Sequence, residues 1–389
     1  MMNIRKLLTA MHTRWILFRE SLRNVRDIAR MYIATQAPQP SDRNLVVCIR
    51  DFRHGRYGYL MVSYFAQAGY RIYFYRSLQF LLGLYGYDRA VFSMPGAGIF
   101  RRKVFRGINA VDFLGLNAEH ILPPVMSIGK RYTIDLDYFR SGPANALRIP
   151  YHIHPLMLRH PHRPEPGSFR HRILMYGQPD LDWSPELIRD HFGLIPRSEV
   201  FSHLNSAPFE WFRPSDHAAL ERFLSTPADR PLACLIDSRR CWIPASAWLS
   251  VLSGFDFFVA TPGVSMPQSH NMIEAMSVGT IPVTQYGCHM HPPLTHGRDS
   301  ISFTDLDDLD RILNELMAMD AEAILRLRSG VAAYFSEHID PTHVVETWRA
   351  KEASEIQLLF NAEEPSLALL RSRLGERLQP ENKDVADPR

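Results

Sequence analysis

Residues 254–287 read GFDFFVATPGVSMPQSHNMIEAMSVGTIPVTQYG, and this stretch decides the fold. Its aromatic run at 255–260 ends at Pro262-Gly263, the pattern of a buried parallel strand entering a loop. Ser269 or Asn271 then caps a helix carrying Met272, Ile273, Ala275 and Met276, and Gly279 closes it. Residues 280–284, TIPVT, form the next strand. Strand, glycine loop, helix and strand make a βαβ unit, with the loop and the helix start at the carboxyl edge of a parallel sheet. Open α/β sheets bind ligands at that edge, and a helix N-terminus offers N–H groups and partial positive charge to phosphate. Glu274 lies one turn into the helix, where a carboxylate can accept hydrogen bonds from ribose hydroxyls. The plainer alternative is a capping-box-like pair of Asn271 and Glu274.

The segment 270–283, HNMIEAMSVGTIPV, resembles the donor-site signature of GT-B glycosyltransferases, nearest to the exostosin-like and bacterial surface-polysaccharide branches. The resemblance implies two Rossmann-like domains facing across a cleft, and a nucleotide-sugar donor as substrate rather than a bound cofactor. By position, Glu274 becomes the ribose ligand, with Gly263, Ser269, His270 and Asn271 near the phosphates. Retaining relatives often carry a second glutamate eight residues earlier. Met266 stands there in this chain, which favours the one-glutamate branches and an inverting reaction, and the resemblance separately implies that no catalytic metal is needed. A growing surface glycan (lipopolysaccharide, O-antigen or capsule) or a lipid-linked acceptor is the implied partner.

The chain has 389 residues, more than a single core usually holds, so two domains are expected. Its 44 basic and 41 acidic residues leave a net charge of +3, too balanced for a nucleic-acid binder. Cys48, Cys234, Cys241 and Cys288 show no CxxC spacing and read as reduced residues of a cytoplasmic protein. No apolar run is long enough to span a bilayer.

Residues 1–37 contain neither Gly nor Pro. Ile4, Leu8, Met11, Trp15, Phe18, Leu22, Val25, Ala29 and Tyr32 draw an apolar stripe on an N-terminal amphipathic helix, and Arg19, Arg23, Arg26 and Arg30 draw a basic stripe beside it. Seven basic and two acidic residues over 1–34 suit an anionic membrane surface and a peripheral location. Packing on the protein body, or pairing with a second copy, is the alternative.

An N-terminal Rossmann-like acceptor domain is expected over 41–150, with strands at 44–50, 70–75, 89–94 and 132–136. Residues 151–169, rich in Pro and His, read as a linker. A C-terminal Rossmann-like nucleotide-sugar domain follows over 170–345, and a closing helix with a polar tail over 346–389, the helix at 342–360.

Glycosyl transfer needs positive charge on the departing phosphate and, for inversion, a base for the acceptor hydroxyl. Arg239 and Arg240 follow a strand at 231–236 and are candidate phosphate ligands; Tyr176 and Gly177 end the first strand of the same domain. Asp51 and His54, in the first β-to-α loop, are the candidate bases, with Asp135 and Asp137 as rivals. Histidines cluster at 152–162 and 289–296 without a recognised metal-ligand spacing, so no metal is expected. His289 and His291 are instead placed to line the donor pocket. A sugar-nucleotide epimerase of the same architecture and a non-catalytic nucleotide-binding subunit of a glycan assembly complex are the competing functions.

Overall fold

The computed structural model describes residues 4–37, 43–50, 55–84, 86–94, 96–101, 103, 105, 110–116, 127–140, 146–164, 169–226 and 232–375, with side chains of the first helix described from Phe18 onward. In chain order the first elements are α1 (Ile4–Ala34), β1 (Arg43–Cys48), α2 (Gly55–Gln67), β2 (Tyr70–Phe74), α3 (Leu78–Gly83), β3 (Gly98–Ile99), β4 (Ala110–Leu116), β5 (Ser127–Asp135) and β6 (Leu147–Arg148). A second series follows: β7 (His171–Gly177), α4 (Arg197–Ser206), β8 (Trp211–Phe212), α5 (His217–Ser225), β9 (Ala233–Asp237), α6 (Ala245–Ser253), β10 (Phe255–Ala260), α7 (His270–Ser277), β11 (Ile281–Thr284), β12 (Ile301–Ser302), α8 (Leu306–Ala318) and α9 (Ala321–His338). The chain ends with α10 (Pro341–Ala350), β13 (Glu355–Leu359) and α11 (Glu364–Leu374).

The protein is α/β, with two Rossmann-like units. One comprises Met1–Ile149 with Pro341–Arg389, the other Pro150–Asp340. In the first unit seven parallel strands run in the order β3-β2-β1-β4-β5-β13-β6. Gly69 makes the turn between α2 and β2 at φ +81°, a conformation that costs a side chain with Cβ. The core is aromatic: Phe65 meets Tyr132 edge-on at 5.0 Å, and Trp348 of α10 stacks on Tyr64 of α2. Burying each such ring contributes about 1.5–3 kcal/mol.

In the second unit six parallel strands run β12-β11-β10-β7-β9-β8. Every residue of β10 is buried, as its apolar run requires. The exception in chemistry is Asp256, which accepts from Arg172 at 2.8 Å and Arg328 of α9 at 2.6 Å. Burial pushes this carboxyl up, while Arg172 and Arg328 pull it back. The chain after β7 builds β8 and β9 to one side, then β10 to β12 to the other. The order therefore switches between β7 and β10, at the place where sheets of this kind open a crevice beyond their carboxyl ends.

Several expectations need correction. The strand expected at 89–94 is a run of 3-10 turns over Gly86–Ser93, which packs against α1 and α2 instead of the sheet. Short apolar runs are ambiguous in just this way. The helix expected over 342–360 stops at Ala350, and its last third is β13. This strand pairs with β5 on one side and β6 on the other, so tertiary pairing overrides the local helical reading. Of residues 151–169, expected as linker, Pro155–Arg159 form a 3-10 turn, and the chain from Pro150 onward belongs to the second unit; β6, just before, joins the first sheet. The polar tail beyond 375 lies outside the described residues.

Candidate functional site

The carboxyl edge of the second sheet gathers most of the residues singled out above. Ser238 N–H donates to the carbonyl of Gly177, tying the ends of β9 and β7 together. Beyond β10 the loop folds back on itself, with Gly263 N–H donating to Pro267 O at 3.3 Å. A Cβ on Gly263 would stand 2.6 Å from the Gln268 carbonyl, so this close backbone approach requires glycine. Ser269 occupies the N-cap of α7 in extended backbone but gives no side-chain cap. The first turn of a helix has N–H groups without intrahelical acceptors.

Glu274 is turned inward. It is 2% exposed; Oε1 accepts from the His154 backbone N–H at 3.0 Å and Oε2 from the Trp248 indole at 2.6 Å. The carboxylate thus brackets three segments, α7, α6 and the stretch before β7. Tyr176 lies against the same indole, with ring centroids 4.8 Å apart. His270 joins this layer: Nδ1 lies 2.7 Å from His152 O, and its ring stacks on Tyr151 at 4.8 Å. For Glu274 to accept ribose hydroxyls, they must replace or share the indole and amide donors. Both of these donors lie on segments other than α7.

Arg239 and Arg240 stand at the expected edge but differ in what surrounds them. Arg239 pairs with Asp237 at 2.7 Å and with Asp180 at 3.0 Å, and its hydrogen bonds hold the Asp237 carboxyl below the ordinary range. Arg240 is exposed.

The side chain that sequence reasoning missed is Arg197, at the start of α4. It is half-buried and donates through Nη2 to Pro262 O at 3.0 Å. Its Cδ lies 3.9 Å from where a Cβ on Gly177 would be, so it sits at the ends of β7 and β10 together. Burial lowers its pKa, and Asp182, Tyr286 and Tyr151 partly offset that loss. Asp182 also caps α4, accepting from Ser198 N–H at 2.9 Å. Two large indoles, Trp183 and Trp242, are more than half exposed in the loops after β7 and β9. An arginine just past Pro196 gives no periodic signal, because the first turn of a surface helix ordinarily holds solvated charge.

Asp51 and His54 lie outside the described residues. The rival carboxylates are already engaged: Asp135 pairs with Arg140 at 2.6 Å and accepts from Gln357 at 2.9 Å, and Asp137 pairs with Arg373 at 3.2 Å. Among the described residues no group of three His, Cys, Asp or Glu side chains is placed to hold a metal ion. His289 is largely buried against Phe192, and burial lowers its pKa. A groove of about 300 Å³ between α8 and α9, with Arg311, Glu315 and Arg326 on its walls, shares no residue with this edge.

No family model and no curated protein matches the sequence. Among solved structures, HepE of Anabaena in complex with UDP is similar at a TM-score of 0.37, with 11% identity over 79% of this chain and all of that one. The N-terminal domain of Candida albicans trehalose-6-phosphate phosphatase follows at 0.33, with 9% identity over 76% and 72% of the two chains. A variant of the wall teichoic acid polymerase TagF stands at 0.25, with 11% identity over 86% and 96%. At these scores the chemistry of the edge must be read from its own residues.

Proposed function

We propose that this chain is a GT-B glycosyltransferase whose C-terminal unit holds a nucleotide-sugar donor at the β7/β10 edge. The observation that carries the reading is Arg197, a recessed guanidinium at the switch in strand order. Recessed positive charge with forked donors suits a diphosphate, and the adjacent start of α7 adds N–H dipoles. Arg240 extends the charge at the rim, while Arg239 is largely neutralised by its two carboxylates. Trp183 and Trp242 offer apolar faces on which a base or a sugar ring can stack. Glu274 enters as the bracket that fixes the wall of the site rather than as a ligand on its own.

The reaction in this reading is displacement at the anomeric carbon. An acceptor hydroxyl of a surface glycan attacks, the bond to the donor phosphate breaks, and the diphosphate leaves against Arg197. Asp51 or His54 takes the hydroxyl proton, giving inversion without a catalytic metal.

The test is calorimetric titration of the full chain with UDP-, GDP-, dTDP-, ADP- and CMP-sugars. One nucleotide class should bind, and Arg197→Ala should weaken it by about 1.5–3 kcal/mol, the loss of a charge-assisted hydrogen bond. Glu274→Gln should lower melting temperature more than it lowers affinity; the reverse result makes Glu274 a ribose ligand. Binding by none of the five, or unchanged affinity in folded Arg197→Ala, overturns the proposal.

A further inference from the structure

α1 is mounted on the first unit in an orientation opposite to that of an ordinary surface helix. At 3.6 residues per turn, Phe18, Leu22, Val25, Ala29, Tyr32 and Ile33 fall within about 100° of arc. All six are exposed, and the five larger ones range from 48% at Tyr32 to 80% at Ile33. Arg19, Arg23, Arg26 and Arg30 occupy the next roughly 60° of arc and are 50–68% exposed.

The side turned to the protein carries polar groups beside the buried Met31. Asn24, fully buried, donates to the carbonyls of Leu82 at 3.0 Å and Leu84 at 2.7 Å. Arg89 reaches up to Glu20 at 2.9 Å and Asp27 at 2.5 Å. Thr35, just past the helix, accepts from Ile99 N–H of β3 at 2.9 Å. Hydrogen bonds, ion pairs and Met31 therefore seat α1, while most of its apolar stripe is exposed and Arg101 lies over the Tyr32 ring at 4.5 Å.

We infer that this outward face docks on an anionic lipid surface. The apolar stripe enters the acyl boundary and the neighbouring arginines meet lipid phosphates, an arrangement that suits a helix lying in the interface plane. Charge decides between lipid and a second copy of the chain. The two carboxylates of this stretch, Glu20 and Asp27, are shared between Arg89 and the stripe itself, with Arg23 on Glu20 at 2.6 Å and Arg30 on Asp27 at 3.7 Å, so the four stripe arginines and Arg89 together face only two acids. A second α1 would thus bring the same excess of arginines to the rim, whereas an anionic surface supplies the balancing charge. No helix among the described residues is long and apolar enough to cross a membrane, so the contact is peripheral. The inference holds whether or not the second unit binds a nucleotide sugar.

The experiment is co-sedimentation of the full chain with phosphatidylcholine vesicles, with and without phosphatidylglycerol. Partitioning should require phosphatidylglycerol and fall with added salt. Substituting Arg19, Arg23, Arg26 and Arg30 together by Gln should reduce it about tenfold or more, and Leu22→Gln with Val25→Gln should reduce it at unchanged charge. All six positions are exposed, and circular dichroism confirms that the variants fold. Equal partitioning of wild type and variants overturns the proposal. So does a dimer in sedimentation equilibrium that Leu22→Gln with Val25→Gln dissolves, because the second copy then covers the stripe.

Discussion

The two sheets are wound alike around their first strands and closed differently. β1 and β7 each have earlier crossovers on one side and later ones on the other. The second sheet is completed by chain that runs without interruption from Pro150 to Asp340. The first needs β13, brought from the far end of the chain and inserted between β5 and β6. Similar topology thus coexists with different dependence on the terminus: one unit is self-sufficient in sequence, the other is locked by its last residues.

Truncation after Ala350 should have the largest effect. It removes Ile356, Leu358, Leu359, Leu367 and Leu370, all buried in the first unit. At about 2–5 kcal/mol for each large apolar side chain lost, the deficit is about 10–25 kcal/mol, comparable to or larger than the typical stability of a domain, about 5–15 kcal/mol. Calorimetry should show the first unit's transition gone and the second unit's retained. Two intact transitions would mean that β13 is dispensable.

A smaller effect should appear in the other unit alone. Asp256→Asn leaves Arg172 and Arg328 without their buried carboxylate and should cost the second unit about 3–5 kcal/mol. An equal shift of both transitions would show that the units do not unfold separately.

The smallest effect is pH-dependent. Burial pushes His171 and His289, both in the second unit, below the ordinary 6.5. A depressed folded pKa contributes stability that is present above 6.5 and lost as pH falls toward the folded values. Asp256, raised by burial, acts with the opposite slope, so Asp256→Asn in the same titration separates its contribution from that of the histidines. Acidification from about pH 7.5 to about 5.5 should therefore lower the second unit's melting temperature, by an amount that His171→Phe reduces. A flat profile for the wild type would remove this distinction between the units.

The β10–α7–β11 segment was legible because each of its elements announces itself locally. An apolar aromatic run, a Pro-Gly break, a helical period and a closing Gly279 need no distant partner to be recognised. β13 was not legible: residues 351–354 contain no Gly or Pro to mark a helix end, and EIQLL becomes a strand only between two others. Arg197 escaped for a related reason. Its position in sequence is that of a solvated first-turn charge, and only the packing of α4 beside Pro262 and Gly177 brings it to the sheet edge.

Glu274 and α1 show where local reading stops. Residue spacing alone determined that Glu274 lies one turn into a helix and that α1 carries apolar and basic stripes side by side, because helical geometry repeats every 3.6 residues regardless of context. Which way each faces was decided by the tertiary structure. Trp248 and the His154 peptide hold the Glu274 carboxylate inside, and Asn24 and Arg89 hold the polar side of α1 against the protein. Periodicity places side chains on a face; only the hydrogen-bond partners contributed by distant segments determine whether that face is turned in or out.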